Sequence, residues 1–187
     1  NKGWRQHVHV LKVFGGYMKR WYVIYVRTGR EEAARLWLVK YGDFPASEVL
    51  VPRTVKYEWK KGRKNLVTTV LFRGYVFIHV DLSAQGYHDY YRIKKNPYAY
   101  HLLGDGNSIY PVEKKEMELL LQFMDAEGMI PLTKACYDGN GIKFTSGPLC
   151  GKEDMVMKVN RRKERAYIRV NIAGKIVAIA VGLENLE

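Results

Sequence analysis

The stretch VLFRGYVFIHVDL, Val70 to Leu82, limits most strongly how this chain can fold. A strand with one face in water alternates apolar and polar side chains, but this run is apolar or aromatic on both faces, with Arg73 and Gly74 in its middle. Both faces of one strand cannot be buried in a two-layer domain without another cover. The stretch therefore needs a further covering element, such as a second domain, or a partner for its second face.

The segments around this stretch predict an α+β domain. WYVIYVRTG from Trp21 is typical of a strand, and REEAARLWLVKYG predicts a helix that ends at Gly42. The runs VLVPRTVKYEW and LVTTVLFRGYVFIHVDL predict a long hairpin that reverses at the basic turn Lys60–Asn65. Two more helices are expected in YHDYYRIKKNP and in PVEKKEMELLLQFMDAEG, which opens at Pro111.

The C-terminal part predicts a separate all-β domain. Residues 128–141 contain three glycines, a proline and no clear period, which is typical of a linker. Residues 142–187 contain five short strand patterns, and five strands in so short a segment predict a small closed barrel. Turns are expected at Gly147-Pro148, Asn160–Arg162 and Ala173-Gly174.

The first domain is predicted to begin at Met18. Residues 1–17 have no convincing period and lack the pattern of a signal peptide, so we interpret them as an N-terminal extension that is not native. The predicted organisation is then an α+β domain over 18–127, the linker over 128–141 and the β domain over 142–187.

Cations cluster along the chain, whose net charge is +12, and this indicates an anionic partner, nucleic acid first. Phosphate contacts supply affinity and interleaved tyrosines can stack on unpaired bases, whereas a solubilising surface is the alternative. The predicted nucleic-acid-binding residues are Lys56, Lys60, Lys61, Arg63, Lys64, Arg73, Arg92, Lys94 and Lys95. A second basic cluster in the β domain consists of Arg161, Arg162, Lys163 and Arg165.

No set of residues indicates catalysis. The histidines are scattered, no phosphate loop is present, and Cys136 and Cys150 lack the spacing of a zinc site. We therefore expect no enzyme, no metal and no cofactor. Two cysteines in a chain of this size indicate a reducing cytosol, and no apolar run approaches the length of a membrane span.

Three motifs carry a resemblance to a known family. RWYVIYV, LFRGYVFI some fifty residues later and SGPLCGKEDMVMKVNRRKERAYIRV near the end resemble the NusG family of transcription elongation factors. The first two resemble its N-terminal NGN domain, and the third resembles its SH3-like KOW barrel. The phrase SGPL…G…VNRRKERA is most similar to specialised paralogues of the LoaP type, which are processive antiterminators.

The resemblance implies a partner for the second face of the sheet. In NusG relatives an apolar and aromatic patch docks on the clamp helices of RNA polymerase. By motif position this implies that Tyr25, Phe72, Tyr75 and Phe77 face the polymerase, with a β-bulge at Gly74 that brings Phe72 onto the same face. Burial of these rings in the protein's own core is the alternative.

The resemblance also implies a monomer that binds polymerase and an RNA hairpin or DNA in the elongation complex. The turn residue Ala173 stands where general NusG proteins often carry an aromatic, which favours leader-RNA-directed antitermination. The alternatives are a general NusG factor that couples polymerase to ribosome or Rho, and a KOW protein that binds RNA or ribosome without polymerase.

Overall fold

The computed structural model describes residues 18–82, 87–105, 108–139 and 141–184. The predicted extension, residues 1–17, lies outside these ranges. The described chain forms two compact units: residues 18–51 with Arg73–Lys114, and Pro52–Phe72 with residues 115–184. No helix of the described residues is long and apolar enough to cross a membrane.

The elements confirm the expected α+β and all-β character of the two parts. The helices are α1 (Glu31–Lys40), α2 (Tyr87–Lys94) and α3 (Lys114–Leu121). The strands are β1 (Arg20–Val26), β2 (Val49–Leu50), β3 (Arg53–Lys60), β4 (Arg63–Val70), β5 (Tyr75–Val80), β6 (Ala99–Leu102), β7 (Met129–Ile130), β8 (Thr133–Tyr137), β9 (Ile142–Ser146), β10 (Val156–Asn160), β11 (Arg165–Ile172) and β12 (Lys175–Glu184).

The first unit contains an antiparallel four-stranded sheet in the order β2-β5-β1-β6. Helix α1 packs its Ala34 and Leu38, one turn apart, into the core. The helix ends at Lys40, just before the predicted stop at Gly42. A Cβ on Gly42 would lie 2.5 Å from the carbonyl oxygen of Leu38. Only glycine fits this close return of the chain onto the last turn.

The second unit contains the hairpin β3–β4, to which β7 adds in parallel, and a five-stranded half-barrel sheet in the order β10-β11-β12-β8-β9. The hairpin reverses at Lys61 and Gly62, whose φ angles are 51° and 72°. Ala173 and Gly174, with φ angles of 50° and 80°, connect β11 to β12 in the same way. Two consecutive positive φ angles are typical of the type I′ turn, whose twist matches that of the strands.

Within the second unit the hairpin lies directly on β12. The hydroxyl of Thr54 donates to the carbonyl oxygen of Ala180 at 3.3 Å. A Cβ on Gly182 would lie 2.4 Å from the carbonyl oxygen of Val55. The glycine therefore permits backbone-to-backbone packing between β3 and β12.

The segment 128–141, interpreted as a linker, is not irregular. It contains β7 and β8, and β8 supplies one of the five strands of the half-barrel sheet. In β8, Thr133 and Ala135 are buried while Lys134 between them is exposed, which is the period of a strand. The units also do not coincide with the predicted domain limits, because the hairpin and α3 cluster with the C-terminal sheet.

The opening stretch is not one strand. It divides into β4, which ends at Val70 in the hairpin sheet, and β5, which begins at Tyr75 in the four-stranded sheet. Gly74, with φ of 81°, lies in the turn between them and its carbonyl accepts from the N–H of Val26 at 2.7 Å. The expected bulge at Gly74 is therefore wrong, and Phe72 precedes the strand that carries Tyr75 and Phe77.

Candidate functional site

The first candidate surface is one face of the four-stranded sheet. The register of β1 and β5 pairs Trp21 with His79, Val23 with Phe77 and Tyr25 with Tyr75. Paired residues of an antiparallel ladder point to the same face, so these six side chains form a row across two strands. The Trp21 and His79 rings stack with centroids 5.0 Å apart at one end of that row.

The middle of this face is fully buried, and its two ends are half-buried. Phe77 is 0% exposed and Phe72 is 3% exposed, whereas Tyr25 and Tyr75 are half-buried. The expectation that all four rings lie uncovered is therefore wrong for Phe72 and Phe77. Both are large apolar side chains without a polar tip, so removal from water stabilises them more than it would a tyrosine.

The open end is a group of rings that we call the tyrosine cluster: Tyr25, Tyr75, Tyr100 and His101. The Tyr25 ring is central, with centroids 5.9 Å from Tyr75, 5.3 Å from Tyr100 and 5.4 Å from His101. Tyr100 and His101 are exposed and come from β6, which pairs with β1. Neither residue could be predicted from the sequence, since nothing in YAYHLL indicates that β6 lies beside β1.

A buried carboxylate holds the backbone beneath the cluster. Glu31 is 4% exposed and its Oε1 accepts from the N–H of Gly74 at 2.7 Å and from that of Gly29 at 3.0 Å. Burial raises the pKa of this carboxyl, but the two N–H groups and the charge of Arg73 act against it, and the net pKa lies below its ordinary value. Glu31 therefore ties the turn after β1 to the turn before β5.

The second candidate surface is the basic hairpin, which we define as Lys60, Lys61, Arg63 and Lys64 at the tip of β3–β4. All four are exposed. Lys64 is engaged, with its Nζ 2.7 Å from a Glu164 carboxylate oxygen and 4.0 Å from the centre of the Tyr57 ring. In the part of the chain that the structure describes, the other three make no salt bridge.

Besides Lys64, two more of the predicted nucleic-acid contacts are used within the protein. The guanidinium of Arg92 lies 4.2 Å from the centre of the Phe44 ring, pairs with Asp89 at 2.8 Å and donates to the carbonyl of Gly42. The Nζ of Lys56 lies 3.2 Å from a carboxylate oxygen of Glu58 on the same strand, and the Lys56 side chain is largely buried. The remaining predicted contacts, Arg73, Lys94 and Lys95, are exposed side chains of the first unit.

In the basic cluster of the β domain, one cation is used within the protein and three are exposed. Arg165 donates to the carbonyl oxygen of Tyr57 at 3.2 Å and is only 18% exposed, so it fastens the hairpin to β11. Arg161 lies 4.1 Å from the centre of the Tyr137 ring. Arg161, Arg162 and Lys163 are exposed in the turn between β10 and β11. Three of the four predicted cations thus remain on the surface.

Both surfaces are suited to binding. The tyrosine cluster offers half-exposed rings of the kind that anchor protein interfaces, and the basic hairpin offers cations for phosphate. Among the described residues, no group of three or more His, Cys, Asp or Glu side chains could hold a metal ion.

Several known proteins are similar to this chain. A family model described as "Transcription termination factor nusG" matches residues 19–121. The transcription termination/antitermination protein NusG of Pseudomonas aeruginosa is 23% identical over 176 residues, which cover 90% of this chain and 98% of the relative. The NusG protein of Campylobacter jejuni is 24% identical over 174 residues, which cover 90% of this chain and 96% of the relative. A solved structure on domain interaction in Thermotoga maritima NusG aligns at 20% identity over 88% of this chain and 93% of that chain, with a TM-score of 0.47.

Proposed function

This chain belongs to the NusG family, and from that premise we propose that it binds RNA polymerase through its N-terminal part and changes the outcome of termination. It is a transcription termination/antitermination factor and not an enzyme. The match over residues 19–121 supports an N-terminal domain over 18–127, and we retain 142–187 as the core of the KOW domain, now with β8 added to its sheet.

The observation that carries the polymerase proposal is the tyrosine cluster. It is a group of aromatic rings that remains half-exposed on a sheet whose middle is buried. Aromatic side chains in such positions dominate many protein interfaces. We propose that Tyr25 and Tyr75 contact the clamp helices, whereas Phe72 and Phe77 would make contact only after the atoms that cover them have moved.

Replacing Tyr25 and Tyr75 together with alanine is expected to weaken polymerase binding by at least about tenfold, the loss typical of interface anchors. The expected change in fold is small because both side chains are only half-buried. Binding of the double variant to immobilised core polymerase tests this. The matched control is Tyr41→Ala, an exposed tyrosine of the first unit outside the cluster. Equal retention of all three proteins would contradict the proposed surface.

A general NusG factor is the function that the comparisons favour, since the relatives described above are NusG proteins of that type. A leader-RNA-directed antiterminator of the LoaP type is a second, finer proposal. Two observations support it: the exposed cations of the basic hairpin, and Ala173 at the tip of the β11–β12 turn instead of an aromatic ring.

Transcription with purified polymerase and without Rho separates the two functions. A template with an intrinsic terminator is transcribed with and without a cognate leader RNA segment upstream. We expect readthrough to rise with the protein present, and for the finer proposal the rise occurs only on the leader-containing template. Equal action on both templates supports a general factor. An unchanged termination pattern together with no polymerase binding would contradict the main proposal.

A further inference from the structure

An exposed tryptophan stands beside the cations of the basic hairpin. Trp59 is 65% exposed, and Leu66 on the paired strand is 57% exposed. The β3–β4 register pairs Tyr57 with Leu66 and Trp59 with Lys64, so these four side chains lie on one face. A tryptophan side chain is highly buried on average, because its ring is among the largest apolar surfaces in a protein. An exposed tryptophan on a hairpin therefore indicates a binding surface.

The Trp59 ring is open because its cross-strand neighbour turns away. Lys64 is directed to the Tyr57 ring and to the Glu164 carboxylate. Among the described residues Trp59 takes part in none of the ring–ring or cation–ring contacts. The Lys64–Glu164 pair and the Arg165 bond to the carbonyl of Tyr57 hold the strand below it to the half-barrel sheet. The ring is therefore exposed on a supported strand.

The charged side chains that follow this ring around the turn are all cations. Lys60, Lys61 and Arg63 follow Trp59 around the turn and make no salt bridge in the part of the chain that is described. Three unpaired cations within one turn attract a phosphate chain, and the flat ring offers a face on which a base can stack. A base inside a duplex already has its stacking partners, so the ring selects an unpaired one.

We propose that Trp59 stacks on an unpaired base of an RNA strand whose phosphates are bound by Lys60, Lys61 and Arg63. This inference rests on nucleic-acid binding by the basic hairpin and names the form of ligand that it takes. The Leu66 side chain lies diagonally across from Trp59 on the same face and extends the apolar surface. RNA is the occupant because nascent transcripts present unpaired bases in hairpin loops, where proteins commonly read them.

The test uses the full chain and two fluorescent RNAs that share one stem, one closed by a six-nucleotide loop and the other a blunt duplex. Trp59→Ala is expected to weaken binding of the looped RNA by about tenfold. Its affinity for the duplex should stay within about twofold of the wild-type value. Trp59→Phe, which keeps a ring, is expected to recover most of the loss. Thr68→Ala is the matched control, because Thr68 is exposed on the same face and has no ring.

Salt dependence distinguishes the ring from the cations. Trp59→Ala is expected to leave the slope of log K against log salt unchanged. Arg63→Ala is expected to lower the magnitude of that slope by roughly 0.7 to 0.9 and to weaken the binding of both RNAs. Wild-type affinity of Trp59→Ala for the looped RNA, or equal losses on loop and duplex, would overturn the inference. Tighter binding to a DNA strand of the loop sequence than to the looped RNA would also overturn it.

These outcomes are separable from those of the transcription assay. If Trp59→Ala binds like wild type while the wild-type protein still drives leader-dependent readthrough, the stacking inference fails and the proposed function stands. If the wild-type protein binds polymerase but none of the RNAs, nucleic-acid binding by the hairpin fails and the polymerase proposal stands.

Discussion

Replacement of Gly182 by alanine is expected to lower the free energy of unfolding by about 2 to 3 kcal/mol, a typical result of overpacking. A Cβ at this position would lie 2.4 Å from the carbonyl oxygen of Val55 and 2.9 Å from the Cα of Lys56. Both are backbone atoms, so no change of rotamer relieves the overlap. The hairpin would have to move away from β12, which breaks the bond from the Thr54 hydroxyl to the carbonyl of Ala180.

Urea denaturation followed by circular dichroism measures this loss. Gly141→Ala is the matched control, because no atom lies within 4 Å of a Cβ there and its φ is not positive. It should change the free energy of unfolding by less than about 0.5 kcal/mol, as for most surface sites. A Gly182→Ala protein as stable as wild type would show that β3 and β12 are not in backbone contact in solution.

Replacement of Glu31 by alanine is expected to lower the free energy of unfolding by about 2 to 3 kcal/mol at pH 7. The reason is that two N–H groups, those of Gly29 and Gly74, lose a charged acceptor, and a hydrogen bond to a charged group contributes about 1.5 to 3 kcal/mol. A part of this loss is recovered if water reaches the N–H groups, so the figure is below the sum of two such bonds. Glu32→Ala, which removes a half-buried partner of Arg35, should cost less than about 1 kcal/mol.

The same carboxylate gives a pH dependence with a definite sign. Its pKa in the folded protein lies below the ordinary value of 4.5, because the N–H groups of Gly29 and Gly74 and the charge of Arg73 outweigh the effect of burial. The contribution of Glu31 is therefore fully present above the unfolded pKa and is lost as pH falls through the folded pKa. The stability difference between wild type and Glu31→Ala should shrink accordingly. A difference that is constant down to the acid unfolding of both proteins would contradict this assignment.

Much of the local structure could be predicted from the sequence. Helix α1 ends at Lys40, just before the predicted stop at Gly42, and the hairpin reverses within the basic turn at Lys61-Gly62, as expected. The basic side chains at that turn are exposed because the turn lies at the end of a two-stranded ribbon. Each of these predictions rests on residues within a few positions of one another, where period and turn chemistry decide the backbone.

The wrong predictions concern features that depend on contacts between residues far apart in the sequence. The glycines around β8 led to its interpretation as a linker, although Thr133, Lys134 and Ala135 alternate as in a strand. The Gly74 turn and the bulge share the same local signal, a glycine within an apolar run, and only the pairing of β4 and β5 with different partners distinguishes them. Glu31 looked like an ordinary helix-start carboxylate, whereas its main partner, Gly74, lies 43 residues away.

Motifs, hydrophobic period and turn residues are sufficient to predict the family, the α+β and all-β parts, and a hairpin tip of cations. They do not predict that Phe77 is buried while Tyr25 and Tyr75 stay half-exposed, or that Trp59 is exposed beside those cations. Exposure depends on which distant strands meet, as Val55 and Gly182 do. A side chain of given chemistry becomes core or binding surface according to those long-range contacts, which no local pattern contains.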